Sequence, residues 1–257
     1  MARIFITGSS DGLGMMASKL LLKQGHQVVL HARNEKRAED ALKASPEASS
    51  VLIADLSSIS ETISLADQVN KSGHFDAIIH NAAIGFNESK KIKTIDHLPE
   101  VFAINSLAPY ILTALIKKPE RLIYLSSALH RSGDSSLKDL LWGQKNWNGY
   151  QAYSDSKLHN VLLAFSVANL WDNVYTNALE PGWVATKIGG AGAPGSLVEA
   201  PATQVWLATS NEPEVLQSGN YYYHKKIQQA HPDASHRDIQ QEFIEQCAWV
   251  SGVEFPV

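Results

Sequence analysis

Short apolar runs alternate along the chain with stretches of helical periodicity. The runs are mostly β-branched or apolar on both faces, as buried parallel strands are. They cover residues 3–7, 27–32, 51–54, 75–80, 121–126, 174–179 and 220–223. Between them, apolar residues repeat every three or four positions, as from Leu13 to Leu21. The alternation predicts an α/β fold with a mostly parallel, seven-stranded sheet flanked by helices.

One domain over residues 1–257 is the expected organisation, because composition does not change along the chain. The periodicity is lost between Gly189 and Gly195, within KIGGAGAPGSL, where glycine, alanine and proline prevail. A stretch of this kind predicts a loop, and in a strand-and-helix fold such a loop can close over a pocket. We therefore expect a substrate lid around residues 184–200.

Composition narrows the classes of function. With 44% hydrophobic residues, 19% charged residues and a net charge of −4, the sequence is typical of a globular protein that does not bind nucleic acid. A single cysteine, Cys247, cannot form an internal disulfide, and we expect it to be buried. No charged leader or apolar run of ~20 residues is present, which predicts a cytoplasmic protein without a membrane span. His231 and His236 lack partners at metal-ligand spacing, so no metal site is expected.

The stretch TGSSDGLG, from Thr7 to Gly14, joins the first predicted strand to the first predicted helix. Backbone N–H groups at such a helix terminus can bind a phosphate. In this interpretation Gly8 permits the tight turn, Gly12 lets a pyrophosphate approach the backbone, and Gly14 lets the helix pack closely on the strand. A glycine turn with a purely structural role is the alternative.

A second motif, YSDSK, places Tyr153 and Lys157 four residues apart on a predicted helix, and therefore on one face. A phenol with its usual pKa of about 10 is a poor base at neutral pH. An adjacent ammonium group favours the phenolate and makes proton exchange accessible. Taken alone, such a pair is more often a surface pair than a catalytic one.

Further motifs follow in order: HNAA at 80–83, Asn105, LSS at 125–127 and PGWVAT at 181–186. With TGSSDGLG and YSDSK, this order resembles the short-chain dehydrogenase/reductase family over nearly the whole chain. SKLHN after Tyr153, LATSNEPEV at 207–215 and SGNYYYHKK at 218–226 are most similar to the retinol dehydrogenase type. The resemblance implies a doubly wound Rossmann-type domain that binds a nicotinamide dinucleotide.

The resemblance also implies a catalytic set of Asn105, Ser127, Tyr153 and Lys157. Tyr153 would protonate a carbonyl oxygen during reduction or deprotonate an alcohol in reverse, with Lys157 lowering its pKa and holding the nicotinamide ribose. Ser127, favoured over Ser126, would bind the substrate oxygen, and Asn105 would hold a water linking Lys157 to solvent. The structural alternatives are a strand-end serine and a helix cap or kink.

Cofactor choice depends on the end of the second strand. Ala32 stands where NAD enzymes place an acidic residue, and Arg33 after it suits the 2′-phosphate of NADP(H), with Ser10 adding a hydrogen bond. Arg33 could instead begin a solvated charge run, and Asp55 could hold the adenine amino group or cap a helix. We expect NADP(H) to be preferred over NAD(H). The expected cofactor-binding residues are Gly8, Ser10, Gly12, Leu13, Gly14, Arg33, Asp55, Leu56, Asn81, Ala82, Tyr153, Lys157, Pro181, Gly182, Val184 and Thr186.

The substrate is expected to be a bulky or apolar aldehyde or ketone, interconverted with its alcohol by hydride transfer. This follows from Trp142, Trp147 and Tyr150 in the insertion before Tyr153, although these residues could simply pack the insertion onto the body. One alternative is a non-catalytic NADP(H)-binding redox sensor, which would not need the whole catalytic set. Another is an epimerase of related fold, which usually needs a longer C-terminal domain.

Two departures from the family pattern concern the cofactor loop and the assembly. Ala83 replaces a common glycine, which leaves less room for the cofactor, and the helix after Asn105 is shorter than usual. In the family this helix and the one bearing Tyr153 often build a homodimer or homotetramer.

Near the C-terminus, a stripe that includes Phe243 and Cys247 is expected to join the core, with a membrane or partner surface as the alternative.

Overall fold

The structure is a computed structural model and describes residues 1–86 and 88–256. The strands within those ranges are β1 (Arg3–Ile6), β2 (Gln27–Ala32), β3 (Ser50–Ile53), β4 (Ala77–His80), β5 (Arg121–Leu125), β6 (Tyr175–Glu180), β7 (Asn220–Tyr223) and β8 (Lys226–Gln228). They form one sheet in the order β3-β2-β1-β4-β5-β6-β7-β8, parallel up to β7. The predicted α/β fold is therefore confirmed.

The sheet has one strand more than the seven predicted. β8 pairs antiparallel with β7 through a two-residue turn, in which His224 and Lys225 have φ angles of 47° and 61°. Such turns usually carry glycine or asparagine, because those residues adopt positive φ at low cost. The missing turn signal explains why the sequence pattern does not predict this hairpin.

Helices cover both faces of the sheet. They are α1 (Gly12–Lys23), α2 (Glu35–Ala44), α3 (Ile59–Lys71), α4 (Glu100–Phe102), α5 (Ala108–Leu115), α6 (Gly149–Leu170), α7 (Ala202–Thr209) and α8 (Arg237–Ser251). The apolar faces of α1, α2 and α7 pack on one side, and those of α3, α5, α6 and α8 on the other. Among the residues described, no helix combines the length and the hydropathy needed to cross a bilayer.

The topology places a crevice at the carboxyl edge of the sheet. β1 leads outward to β2 and β3, whereas β4 begins the run through β5 to β7 on its other side. In open α/β sheets, ligands bind where the strand order reverses in this way, because the two outgoing connections diverge. The glycine turn after β1 and the segment after β4 therefore face each other at this point.

The C-terminal helix α8 closes the core over α5 and α6. Its Phe243 is fully buried and stacks on His159 of α6 at 4.8 Å between ring centroids, while Tyr110 of α5 donates a hydrogen bond to the Val253 carbonyl at 2.8 Å. Cys247 is buried, so the expected core stripe is confirmed. Residues 152–164 of α6 are all buried within the single chain. This part of α6 therefore has no free face for a second copy.

Replacing Phe243 with alanine is expected to lower the free energy of unfolding by about 3–5 kcal/mol, because a fully buried ring leaves a cavity between α8 and α6. Trp249→Ala on the same helix is the control, since Trp249 is 81% exposed, and we expect a change within about 0.5 kcal/mol. Urea denaturation of both variants measures the difference. Equal losses would contradict the role of α8 as a cover for the core.

Candidate functional site

A cavity of about 640 Å³ lies at the crevice, a size suited to a small-molecule ligand. Most of the predicted cofactor-binding residues line it: Gly8, Ser10, Gly12, Leu13, Arg33, Asp55, Leu56, Asn81, Ala82 and Thr186. Of the other predicted residues, all of which the structure describes, Gly14, Tyr153, Lys157, Pro181, Gly182 and Val184 lie outside its lining. The loops after five strands, β1 to β4 and β6, thus contribute to one cavity.

The glycines of the turn meet different constraints. Gly8 has a φ of 62°, and a Cβ there would lie 2.8 Å from the Cα of Ala82. A Cβ on Gly14 would lie 2.5 Å from the Gly8 carbonyl oxygen, so close packing is required at this position too. Gly12 has a φ of 52° and borders the cavity, and a Cβ there would meet no residue beyond its chain neighbours within 4 Å. Gly8 and Gly14 allow the close crossing. Gly12 leaves space beside the cavity, while its N–H donates to the Asp11 Oδ1 at 2.7 Å.

Asn81 ties the end of β4 to the glycine turn. Its Nδ2 donates to the carbonyls of Thr7 at 2.9 Å and Gly8 at 3.2 Å. The backbone N–H groups of Asn81 and Ala82 both donate to the Thr7 hydroxyl at 3.0 Å. The Oδ1 of Asn81 is buried and has no hydrogen-bond partner among the residues described, an arrangement that suits a ligand donor. Ala83, in place of the family glycine, also lines the cavity.

The side of the cavity formed by the end of β2 is cationic. Arg33 is exposed there, and Arg37, one helical turn further on, also lines the cavity. The Nη1 of Arg37 lies 3.5 Å from the Oδ2 of Asp11, and Lys187 binds the same carboxylate. The hydrogen bond from Lys187 lowers the pKa of Asp11 and is the largest influence on it. Sequence reasoning did not single out Arg37, because it lies within a run of charged residues, or Lys187, because it lies within a predicted loop.

Asp55 lies in the loop after β3 and does not cap the following helix. Its Oδ1 accepts from the Ser57 N–H at 2.9 Å, while Ser58 provides the N-cap of α3. The alternative interpretation of Asp55 as a helix cap is therefore wrong. Its carboxylate borders the cavity together with Leu56.

The segment predicted to be a lid lies against two walls of the cavity. Lys187 binds Asp11 of the glycine turn, and Ile188 lies 3.2 Å from the position of a Cβ on Gly85 after β4. Val184 forms a bridge with Gly195, which closes the segment into a loop. The segment therefore links the two sides of the cavity, and opening and closing of this loop remains a prediction.

Tyr153 and Lys157 lie together on α6, in a cluster beside the cavity. The Lys157 Nζ is 5.4 Å from the centroid of the Tyr153 ring and donates to the Leu125 carbonyl at 3.1 Å. Burial raises the pKa of Tyr153 to about 12, opposed by a hydrogen bond with Ser127. Burial lowers the pKa of Lys157 to about 8. Burial therefore favours the neutral form of both groups relative to water. It raises the pKa of the phenol and lowers the pKa of the amine.

The two neighbouring serines have different surroundings. Ser126 is buried, and its hydroxyl donates to the Lys157 backbone carbonyl at 2.8 Å. The Ser127 hydroxyl accepts from the Leu129 N–H at 3.3 Å and also bonds with Tyr153. Of the two serines, Ser127 is therefore the one next to Tyr153, and its catalytic role remains a prediction.

Asn105 connects the cavity wall to α6, the helix that carries Tyr153. Its Oδ1 accepts from the Ile84 N–H at 2.9 Å, and its Nδ2 donates to the Ile84 carbonyl at 3.0 Å and to the Ser156 hydroxyl at 3.1 Å. Ser156 in turn donates to the Tyr153 carbonyl at 2.7 Å. Asn105 lies in a π-helical turn, Ala103–Leu107, a type of turn found frequently at functional sites. Sequence periodicity predicts an ordinary helix here and misses the turn.

Aromatic residues surround Tyr153 in an arrangement that the sequence predicts only in part. Phe86 packs edge-on against Tyr153 at 5.6 Å and against Tyr150 at 5.8 Å. Trp142 is buried and packs on Trp147 at 5.2 Å, within an apolar cluster that includes Val101 and Ala152. The two tryptophans therefore pack the insertion onto the body, whereas Phe86, which sequence reasoning missed, lies beside the Tyr153 ring.

Comparisons with known proteins agree with this geometry. The family model described as short chain dehydrogenase matches residues 2–123. An uncharacterized oxidoreductase of Emericella nidulans is 45% identical over 100% of this chain and 99% of its own length. The short-chain dehydrogenase chyC of Penicillium rubens is 40% identical over the full length of both. Human retinol dehydrogenase 14 is a more distant relative, 28% identical over 92% of this chain and 82% of its own.

The fold has a counterpart among solved structures. A crystal structure of a protein from Mycobacterium paratuberculosis superposes with a TM-score of 0.83 at 22% identity. The match covers 100% of this chain and 96% of that one. The architecture is therefore shared over the whole domain, including the C-terminal elements.

Proposed function

Because the chain belongs to the short-chain dehydrogenase family of oxidoreductases, we propose that it interconverts a carbonyl and its alcohol by hydride transfer with NADP(H). The observation that supports this most is the cluster of half-buried Ser127 with buried Tyr153 and Lys157, placed beside a cavity bordered by a glycine turn. A phenol and an ammonium group buried together are suited to proton transfer and not to structural stability.

The residues of the cavity fit a dinucleotide. Gly12 leaves space above its backbone, and Asn81 has a buried, unpaired Oδ1 beside the glycine turn. The N-terminus of α1 would hold the pyrophosphate, and Arg33 with Arg37 would hold a 2′-phosphate, which supports NADP(H) over NAD(H). Asp55 would hold the adenine amino group. When bound, the nicotinamide supplies or accepts the hydride.

The protein's own residues donate or remove the proton at the substrate oxygen. In reduction Tyr153 donates its hydroxyl proton as negative charge develops on that oxygen, and Ser127 stabilises the charge by a second hydrogen bond. Lys157 offsets the charge that remains on the phenolate. Because the Asn105 side chain is committed to Ile84 and Ser156, it fixes the wall of the cavity relative to α6. A water next to Asn105 would complete the proton path from Lys157.

The surroundings of Tyr153 favour an apolar substrate. Phe86 covers the ring of Tyr153, and Tyr150 extends this aromatic surface toward solvent, being 47% exposed. A carbonyl bonded to Ser127 and Tyr153 would place its substituents against these rings. The segment 184–200 would close over them as a lid. Any homodimer or homotetramer would use a face other than residues 152–164 of α6, which are already covered.

Tyr153→Phe is expected to lower kcat/KM for carbonyl reduction by about 10²–10⁴-fold while NADPH still binds, because the ring remains and only the exchangeable proton is lost. Tyr175→Phe, the same change at the start of β6, is the control and should retain activity. Absorbance at the NADPH band with aliphatic, aromatic and retinal-like aldehydes measures the rate. Binding of NADPH without turnover by the wild-type protein would instead support the redox-sensor interpretation.

The two directions of reaction should depend on pH in opposite ways. The Tyr153–Lys157 pair is expected to lose its first proton near pH 8, where burial places the pKa of Lys157. Reduction needs that proton, so its kcat/KM should fall above about pH 8, whereas alcohol oxidation needs the deprotonated pair and should rise over the same range. Initial rates in both directions from pH 6 to 10 test this. A parallel rise or fall of both would contradict it.

Arg33→Ala should lower kcat/KM with NADPH by about tenfold and leave kcat/KM with NADH unchanged, because a charged hydrogen bond to the 2′-phosphate is lost. Lys36→Ala is the control, because it removes the same charge from an exposed residue of α2 that does not line the cavity. Steady-state kinetics give kcat/KM with NADPH and kcat/KM with NADH for each variant. If both variants lowered both of these values alike, the NADP(H) preference would not come from Arg33.

A further inference from the structure

His31 is a histidine in the wall of the proposed cofactor cavity that neither the sequence motifs nor the proposed proton path uses. It lies near the end of β2, two residues before Arg33, and only 3% of it is exposed. It borders the cavity together with Arg33 and Arg37. A histidine beside two arginines suggests a third cation for the 2′-phosphate, and its hydrogen bonds decide whether it has that role.

Both ring nitrogens of His31 are occupied within the protein. The Gly8 N–H donates to Nδ1 at 2.9 Å, so Nδ1 carries no proton. Nε2 lies 3.0 Å from the Ala54 carbonyl and must therefore be the protonated nitrogen that donates to it. No ring atom is left to donate to a phosphate.

The ring is also held neutral. Burial lowers the pKa of His31 to about 4, and this outweighs the hydrogen bond to Ala54 and the nearby Asp55 carboxylate, both of which favour the charged form. Arg33 and Arg37, which share the cavity, disfavour a further positive charge. At neutral pH His31 is therefore an uncharged acceptor for Gly8.

The backbone of His31 makes a second attachment to the same turn. Its N–H donates to the Ser9 hydroxyl at 2.8 Å, and the Ser9 N–H donates to the His31 carbonyl at 3.2 Å. The Ser9 hydroxyl donates in turn to the Ile6 carbonyl at 2.9 Å. Two successive residues of the glycine turn are thus bonded to His31, which is bonded on its other side to the end of β3.

We propose that His31 is a positioning residue that fixes the glycine turn, and that it acts on the pyrophosphate of the cofactor through that turn. The inference rests on the proposed dinucleotide binding. Because the pyrophosphate is common to NADPH and NADH, loss of the Gly8–His31 bond weakens binding of both by the same factor. A contact to the 2′-phosphate would instead affect NADPH alone.

The test compares His31→Asn with His31→Gln by fluorescence titration of NADPH and of NADH. The Asn Oδ1 can take the place of Nδ1 and accept from Gly8, whereas the Gln amide reaches the place of Nε2. We expect His31→Gln to raise both Kd values about tenfold and His31→Asn to stay within about threefold of wild type. The kcat at saturating NADPH should change less than about twofold in either variant.

His26→Gln is the matched control. The His26 Nδ1 accepts from the Ala2 N–H at 3.1 Å, which is the same kind of bond at the start of the same strand, remote from the cavity. This variant should bind both cofactors as the wild type does. Weaker NADPH binding by His31→Gln with unchanged NADH binding would overturn the proposal, and so would unchanged binding of both.

A measurement on the wild-type protein covers the case in which the His31 variants do not fold. A neutral ring predicts that the assigned imidazole resonances of His31 do not shift between pH 6 and 8 in NMR spectra of the protein. A shift of these resonances with a midpoint near pH 6.5 would show a cationic His31 and overturn the proposal. Wild-type protein that binds neither dinucleotide would overturn the proposed function itself, an outcome distinct from these.

Discussion

The close approach of the glycine turn to the end of β4 is the constraint on which the rest of the site depends. Gly8 passes so near Ala82 that a Cβ would lie 2.8 Å from its Cα. Only a glycine with positive φ satisfies both the turn and this distance. The contact closes the crevice at the reversal of the strand order, beside the cavity that the turn lines. Asn81 and His31 then hold the turn from its two sides.

From this crossing, hydrogen bonds lead directly to the proposed reaction centre. The segment after β4 continues to Ile84, whose backbone is held at both N–H and carbonyl by Asn105. Asn105 reaches α6 through Ser156, one turn from Tyr153. The cavity and the buried Tyr153–Lys157 pair are therefore parts of one rigid network, which gives a cofactor and a proton donor fixed relative positions. Such preorganisation is what proton transfer coupled to hydride transfer requires.

Sequence patterns predicted the features that depend on residues close to one another in the sequence. β2 and β7 are observed with the predicted bounds, because buried parallel strands have a strong apolar signature. The spacing predicts the glycine turn and the position of Tyr153 and Lys157 on one face of a helix, whereas the roles proposed for them come from the family resemblance. Features that depend on tertiary context were not predicted: the His224–Lys225 turn, the π-helical turn at Asn105, and the roles of Phe86, Arg37 and His31. The residue types at these positions are common ones, and what they do depends on the residues that lie near them in the folded chain.

The central claim is that this chain transfers a hydride between a nicotinamide dinucleotide and a carbonyl carbon. The most direct measurement uses NADPH in which both C4 hydrogens of the nicotinamide are deuterium, together with an apolar aldehyde, followed by mass spectrometry of the product. The account predicts an alcohol that carries one deuterium on the former carbonyl carbon. Enzyme-dependent product without deuterium, or bound NADPH that is never oxidised by any carbonyl, would contradict it.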